Sequence, residues 1–157
     1  MSDIRVASRY AKSVIDLAIE KGCLEEVHHD MLSFATICGE NRELVALLKS
    51  PIVKSDKKYK VLDLIFNGRV NALTLAFLKI ITSKGREQAL PSIAEEVNNQ
   101  YNILKGIQKA QVITASPLND LLRDEFKKIV SGSSNKKVEL SEKVDPDLIG
   151  GYILRIA

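Results

Sequence analysis

The side chains that could do chemistry in this chain stand alone or in the wrong pairs. His28 and His29 are adjacent. Neighbours on a helix diverge by about 100°, so they cannot grip one metal ion as two histidines a turn apart could. Cys23 and Cys38 are the only two cysteines, with no CxxC or HxxxH companion. Ligand number and spacing both fail for a metal centre, and two cysteines do not make a disulfide-stapled secreted scaffold. Glu25-Glu26 and Glu95-Glu96 are sequential rather than facing, which suits a solvated helix face better than acid–base catalysis. Gly150-Gly151 lacks the frame of a phosphate loop, and no helix follows it to offer amide groups to an anion. No nucleophile is legible beside a base. The expectation is no enzyme, no cofactor and no bound metal.

Lys54, Lys57, Lys58 and Lys60 form the densest basic cluster. On a helix these four spread around the axis, with Asp56 and Asp63 among them, so a solvated face is favoured over a phosphate-tracking stripe. A small helical RNA-binding factor using these lysines is the alternative function. Composition gives it little help. Lys+Arg 23 against Asp+Glu 20 leaves a formal charge of +3, aromatics make up 5% and Trp is absent. Base-stacking platforms are therefore scarce.

The chain has 157 residues, 45% hydrophobic and 27% charged, a balance that supports a packed core and excludes disorder. The opening MSDIRVASRYAKS has no apolar signal segment. The longest strongly apolar stretch, Ala72 to Ile81, contains Lys79 and is too short to span a bilayer. A reducing cytoplasmic compartment is expected, with any membrane association made through a protein partner.

Residues 1–105 read as six helices separated by polar breaks. Asp3 is placed as N-cap of the first, which runs to about Lys21 before Gly22. The second runs from Leu24 to Cys38, and a short third is capped by Asn41 and closed by Ser50-Pro51. Ser55 or Asp56 opens the fourth, the fifth covers Asn71 to Lys84, and the sixth about Leu90 to Lys105 with Pro91 in its first turn. After Gly106 the pattern changes. Ile107–Ala115 is rich in strand formers, and Leu118–Val130 is an amphipathic helix with Leu118, Leu121, Leu122, Phe126 and Ile129 on one stripe. A polar loop covers 131–137, then Lys137–Ser141 and Ile149–Ile156 read as strands. The expected fold is mainly α: an N-terminal six-helix bundle, 1–105, followed by a small C-terminal α/β unit, 106–157.

Two helices carry more apolar surface than a bundle requires. In residues 4–20 the apolar arc covers about 220°, and on the fifth helix apolar side chains point nearly all round the axis. A core-facing stripe needs about 100° or somewhat more. The surplus argues for an apolar groove reserved for a partner helix.

Arg9-Tyr10-Ala11-Lys12 resembles the opening signature of the δ subunit of F-type ATP synthases, a family related to the mitochondrial oligomycin sensitivity-conferring protein. Ser50-Pro51 with the lysine-rich helix after it, Thr74-Leu75-Ala76-Phe77-Leu78 and Lys84-Gly85-Arg86 are similar to later blocks of that family. So are Thr114-Ala115-Ser116-Pro117-Leu118 and Val144-Asp145-Pro146-Asp147-Leu148-Ile149-Gly150-Gly151 near the end. Each block is weak alone, but their order and spacing cover essentially the whole chain. Family members usually continue past the final strand with a further strand and a terminal helix, whereas this sequence stops at Ala157.

The resemblance implies a non-catalytic stator subunit of a proton-translocating synthase, lying at the cytoplasmic face of the bacterial inner membrane. It would tie the catalytic α/β head to the b-subunit peripheral stalk. Helices one and five would hold the N-terminal helix of an α subunit, and the C-terminal unit would engage b. On the helical wheel the groove is expected to be Val6, Tyr10, Ser13 and Leu17 of helix one, beside a core stripe of Ala7, Ala11, Val14 and Ala18. On helix five it is expected to be Leu75, Leu78, Lys79 and Thr82, opposite a core stripe of Leu73, Phe77, Ile80 and the stem of Lys84.

Overall fold

The structure, a computed structural model, describes residues 3–134 and 137–156. Seven α-helices and a three-stranded sheet are present among the described residues. In order they are α1 (Asp3–Glu20), α2 (Leu24–Glu40), α3 (Arg42–Lys49), α4 (Ser55–Phe66), α5 (Ala72–Ser83), a single 3-10 turn (Glu87–Ala89) and α6 (Leu90–Leu104). Then follow β1 (Ile107–Thr114), α7 (Asp120–Ser134), β2 (Lys137–Val144) and β3 (Tyr152–Ile156). Two compact units divide after Tyr101, inside the last turn of α6 and slightly before the change of composition at Gly106.

Local chemistry sets the helix ends in the first unit. Asn41 accepts from the Leu44 amide at 3.1 Å and so caps α3. α1 and α5 end alike: Gly22 and Gly85 adopt φ of 67° and 64°, a conformation only glycine takes without strain. The amide after each glycine returns to the helix, Cys23 to Ala18 O at 2.9 Å and Arg86 to Ile81 O at 3.1 Å. The capping role expected of Asp3 concerns a side chain outside those described.

The core of this unit draws on every helix. Ala7, Ala11 and Ala18 are at most 2% exposed, and these small residues let α1 pack tightly where longer side chains would hold it off. Phe34 of α2 and Phe66 of α4 meet with ring centroids 5.3 Å apart. Val27, Met31, Leu48, Leu62, Leu78, Ile81, Ile93 and Val97 fill the space between, each essentially inaccessible. Full burial of such a side chain contributes about 1.5–3 kcal/mol.

The second unit is a β-α-β crossover with one added strand. β1 is central, parallel to β2 and antiparallel to β3. The register puts Ala110, Val112 and Thr114 on the same face as Tyr152, Leu154 and Ile156, since each β1 residue stands opposite one of these on β3. α7 lies on this face: Phe126 meets Tyr152 edge-on at 4.7 Å, and Arg123 pairs with Glu142 of β2.

Several expectations need correction here. α7 runs on through Ser134, where the sequence suggests a polar loop from 131; Asn135 and Lys136 of that loop lie outside the described residues. β2 extends to Val144, and β3 starts at Tyr152 rather than Ile149 because Gly151 turns through φ 77°. The α7 stripe is only partly internal. Phe126 and Val130 are buried, whereas Leu121, Leu122 and Ile129 are 77%, 42% and 51% exposed. One helix crossing a three-stranded sheet has few side chains to bury.

Candidate functional site: an apolar groove between α1 and α5

The first unit carries a concave apolar surface on one side. A groove of about 390 Å³ runs between α1 and α5. Tyr10, Ser13, Val14, Leu17 and Lys21 form its α1 wall; Ala72, Leu73, Ala76, Phe77, Ile80 and Ile81 form its α5 wall. Leu17 is 40% exposed and Ile80 50%, so large apolar side chains meet solvent here beside the sealed core. Lys21 is the one charged residue among those that line it.

Tyr10, Ser13 and Leu17 line the groove, Ala7, Ala11 and Ala18 are buried behind them, and Val14, expected in the core, is buried but also touches the groove. Val6 is half-buried and stands outside the lining.

On α5 the two stripes are exchanged. Leu78 and Thr82 are each 1% exposed, within the core, so neither can touch a docked partner. Leu75 is half-buried, and Lys79 lies 5.9 Å from the centre of the Tyr59 ring, so that side of α5 faces α4. The open stripe is Ala76, Phe77 and Ile80, of which Phe77 and Ile80 were expected in the core, while Leu73 is buried as expected although it touches the groove. Two threonines explain the exchange. Thr82 Oγ1 donates to Leu78 O at 2.7 Å and Thr74 Oγ1 to Asp30 Oδ2 at 2.7 Å, so both hydroxyls are satisfied inside the bundle. A threonine with a bonded hydroxyl packs as an apolar side chain would, and counting it as polar rotates the inferred face. Lys84, whose stem was placed in the core, is exposed.

No group of three or more metal-ligating side chains is found among the described residues. His28 stacks on Tyr101 with ring centroids 3.6 Å apart, and its Nε2 lies 3.0 Å from Asn98 Oδ1, a contact that joins α2 to α6. Burial pushes the Cys38 thiol up to about 11, away from nucleophilic use. The basic cluster loses a member, because Lys58 is 3% exposed and bonded at 2.6 Å to Glu87 Oε1. An RNA surface built on these four lysines is therefore not available as the sequence alone suggested. No helix among the described residues is long and apolar enough to cross a membrane.

Comparison with known proteins decides the assignment. The family model described as ATP synthase delta (OSCP) subunit matches residues 6–157. The chain belongs to the ATP synthase delta (OSCP) subunit family. It is 40% identical over 156 residues to the ATP synthase subunit delta of Cytophaga hutchinsonii, covering 99% of this chain and 85% of that protein. It is 31% identical over 156 residues to that of Chlorobaculum tepidum, covering 99% and 86%. In fold it matches a chain of the cryo-EM structure of the Toxoplasma gondii mitochondrial ATP synthase hexamer, with TM-score 0.76 and 20% identity over 94% of this chain and 83% of that one. As a delta-family protein it is a structural stator subunit of the ATP synthase, associated peripherally with the membrane-bound complex and not a catalyst.

Proposed function

We propose that the α1–α5 groove receives the N-terminal helix of a synthase α subunit, and that residues 102–157 carry the attachment to the b-subunit stalk. The protein then ties the catalytic head to the stator at the cytoplasmic face of the bacterial inner membrane. The observation that carries this reading is the concave, almost wholly apolar groove left open between α1 and α5, with Leu17 and Ile80 meeting solvent in it. A groove with Tyr10 and Phe77 on opposite walls and a cation, Lys21, within it suits the apolar stripe of an amphipathic helix. Aromatic anchors of this kind carry a large share of binding energy. Delta-family membership supports an α subunit as the source of that helix.

Calorimetric titration of the whole protein with a synthetic peptide of the cognate α-subunit N-terminus tests the first half. Saturable one-to-one binding that changes little with salt is expected, because apolar contact is screened far less than charge pairing. Heat indistinguishable from dilution would refute it. Pull-down with the soluble part of the b subunit tests the second half: substitutions in the exposed α7–β3 side chains should weaken b capture and leave peptide affinity alone.

A further inference from the structure

The α5 wall of the groove begins at the first residue of its helix. Ala72, Leu73, Ala76 and Phe77 all lie within two turns of the N-terminus, where backbone amides lack helical partners and fraying starts. The wall therefore depends on how that terminus is held. Asn71, the N-cap, accepts from the Leu73 amide at 2.9 Å through its own side chain. In a capping box, a glutamate at the third helical position would reach back to the N-cap amide. Here that position is Thr74, too short to do so. The carboxylate comes from another helix. Asp30 of α2, 7% exposed, accepts at Oδ2 from the Asn71 amide at 2.8 Å and from the Thr74 hydroxyl at 2.7 Å. Glu26, one turn earlier on α2, accepts from the Asn71 side-chain amide.

We propose that Asp30 is the positioning residue of the groove. Its buried carboxylate completes the capping of α5 from α2, and so fixes where Leu73, Ala76 and Phe77 stand relative to Tyr10 and Leu17. Several features make this a positioning contact rather than one more buried hydrogen bond. It is made to the two donors that open the helix, where the helix dipole favours a negative charge. It joins the groove's second wall to a helix that lines no part of the groove. Loss of the acceptor leaves a half-buried N–H and a buried hydroxyl unpaired next to the binding surface, and the cheapest remedy is to unwind the first turn towards water. Most of the bundle core, including Leu48 and Leu62, lies outside that turn, which contributes Leu73 and Thr74.

This inference rests on the groove being the helix site, and its test separates the two ideas. Asp30→Ala removes the acceptor, Asp30→Asn restores one without charge, and Leu48→Ala, remote on α3, serves as a destabilised control. Each variant is titrated with the α N-terminal peptide well below its melting temperature, and amide exchange is followed along α5. Asp30→Ala should bind at least tenfold more weakly and exchange the amides of Leu73 to Phe77 at least tenfold faster. Asp30→Asn should recover most of both. Leu48→Ala should keep wild-type affinity and slow exchange in that turn. If Asp30→Ala does not fold, Thr74→Val removes one donor and should show the same pattern, about threefold. Wild-type affinity in the Asp30 variants, or equal losses in the Leu48 control, overturns the positioning role while leaving the groove intact. Absence of peptide binding by the wild-type protein overturns the groove reading instead, and the exchange rates still decide whether Asp30 holds the turn.

Discussion

Lys58 Nζ and Glu87 Oε1 lie 2.6 Å apart with side chains only 4% and 8% exposed, joining α4 to the 3-10 turn that precedes α6. The ammonium also donates to Leu48 O at 2.9 Å, so one buried cation holds the end of α3 as well. Glu87 Oε2 has no hydrogen-bond partner. The pair is therefore satisfied on the lysine side and incomplete on the glutamate side, and its two halves depend on each other.

Removing one partner should cost more than removing both. Lys58→Met leaves a buried carboxylate without its cation, and a loss of about 3–5 kcal/mol is expected. The double variant Lys58→Met, Glu87→Leu should recover most of that loss, since an apolar pair needs no compensation. Urea unfolding of the three proteins measures this. A double variant no more stable than Lys58→Met would show that the unpaired carboxylate is not the source of the loss.

The same pair predicts how stability responds to acid. Burial alone would raise the Glu87 carboxyl, but hydrogen bonds from Lys58 and from its own backbone amide, with the Lys58 charge, hold it below its ordinary value of 4.5. A carboxyl with a lowered native value contributes stability that is fully present above 4.5 and is lost as pH falls through the native value. Between about pH 6 and about pH 3, Glu87→Gln should therefore lose less stability on acidification than the parent protein. Parallel urea midpoints across that range would exclude Glu87 as a source of acid sensitivity.

Cys38 offers a chemical check on the core. With its thiol pushed up to about 11, roughly one molecule in a thousand carries the thiolate at about pH 8. Native protein treated with iodoacetamide should keep Cys38 unmodified until denaturant is added. Mass spectrometry of the digested protein reads this directly, and rapid native labelling would mean that α2 is not seated as described.

What was legible in the sequence follows from which rules are local. Asn41 as a cap and Gly22 as a stop are decided within a turn of the residue concerned, and they hold. The α1 face is legible because its alanines form an unbroken stripe. The α5 face is not, because apolar residues surround the axis and the deciding fact is the partner of Thr74, which is Asp30, 44 residues away. Lys58 misleads for a similar reason: it reads as surface charge until Glu87 is brought to it across 29 residues. The α7 stripe gives too large a core because periodicity cannot say how much of a sheet one helix will cover.

The exchanged stripes on α5 give the sharpest test, because neighbouring residues should fail in different ways. Phe77 is half-buried and lines the groove, so Phe77→Asp places a charge where the proposed α-subunit helix would sit. Peptide affinity should fall by about 2 kcal/mol or more, roughly thirtyfold, with little change in melting temperature. Tyr10→Ala, on the opposite wall, should behave alike because it removes an aromatic anchor without opening the core. Leu78→Asp is different. Leu78 is 1% exposed, and an unpaired carboxylate there cannot reach water, so the bundle should unfold or melt far lower. Melting curves beside peptide titrations distinguish the cases. A folded Leu78→Asp variant that has lost peptide binding, together with a Phe77→Asp variant that binds normally, would return the groove to the face the sequence first suggested.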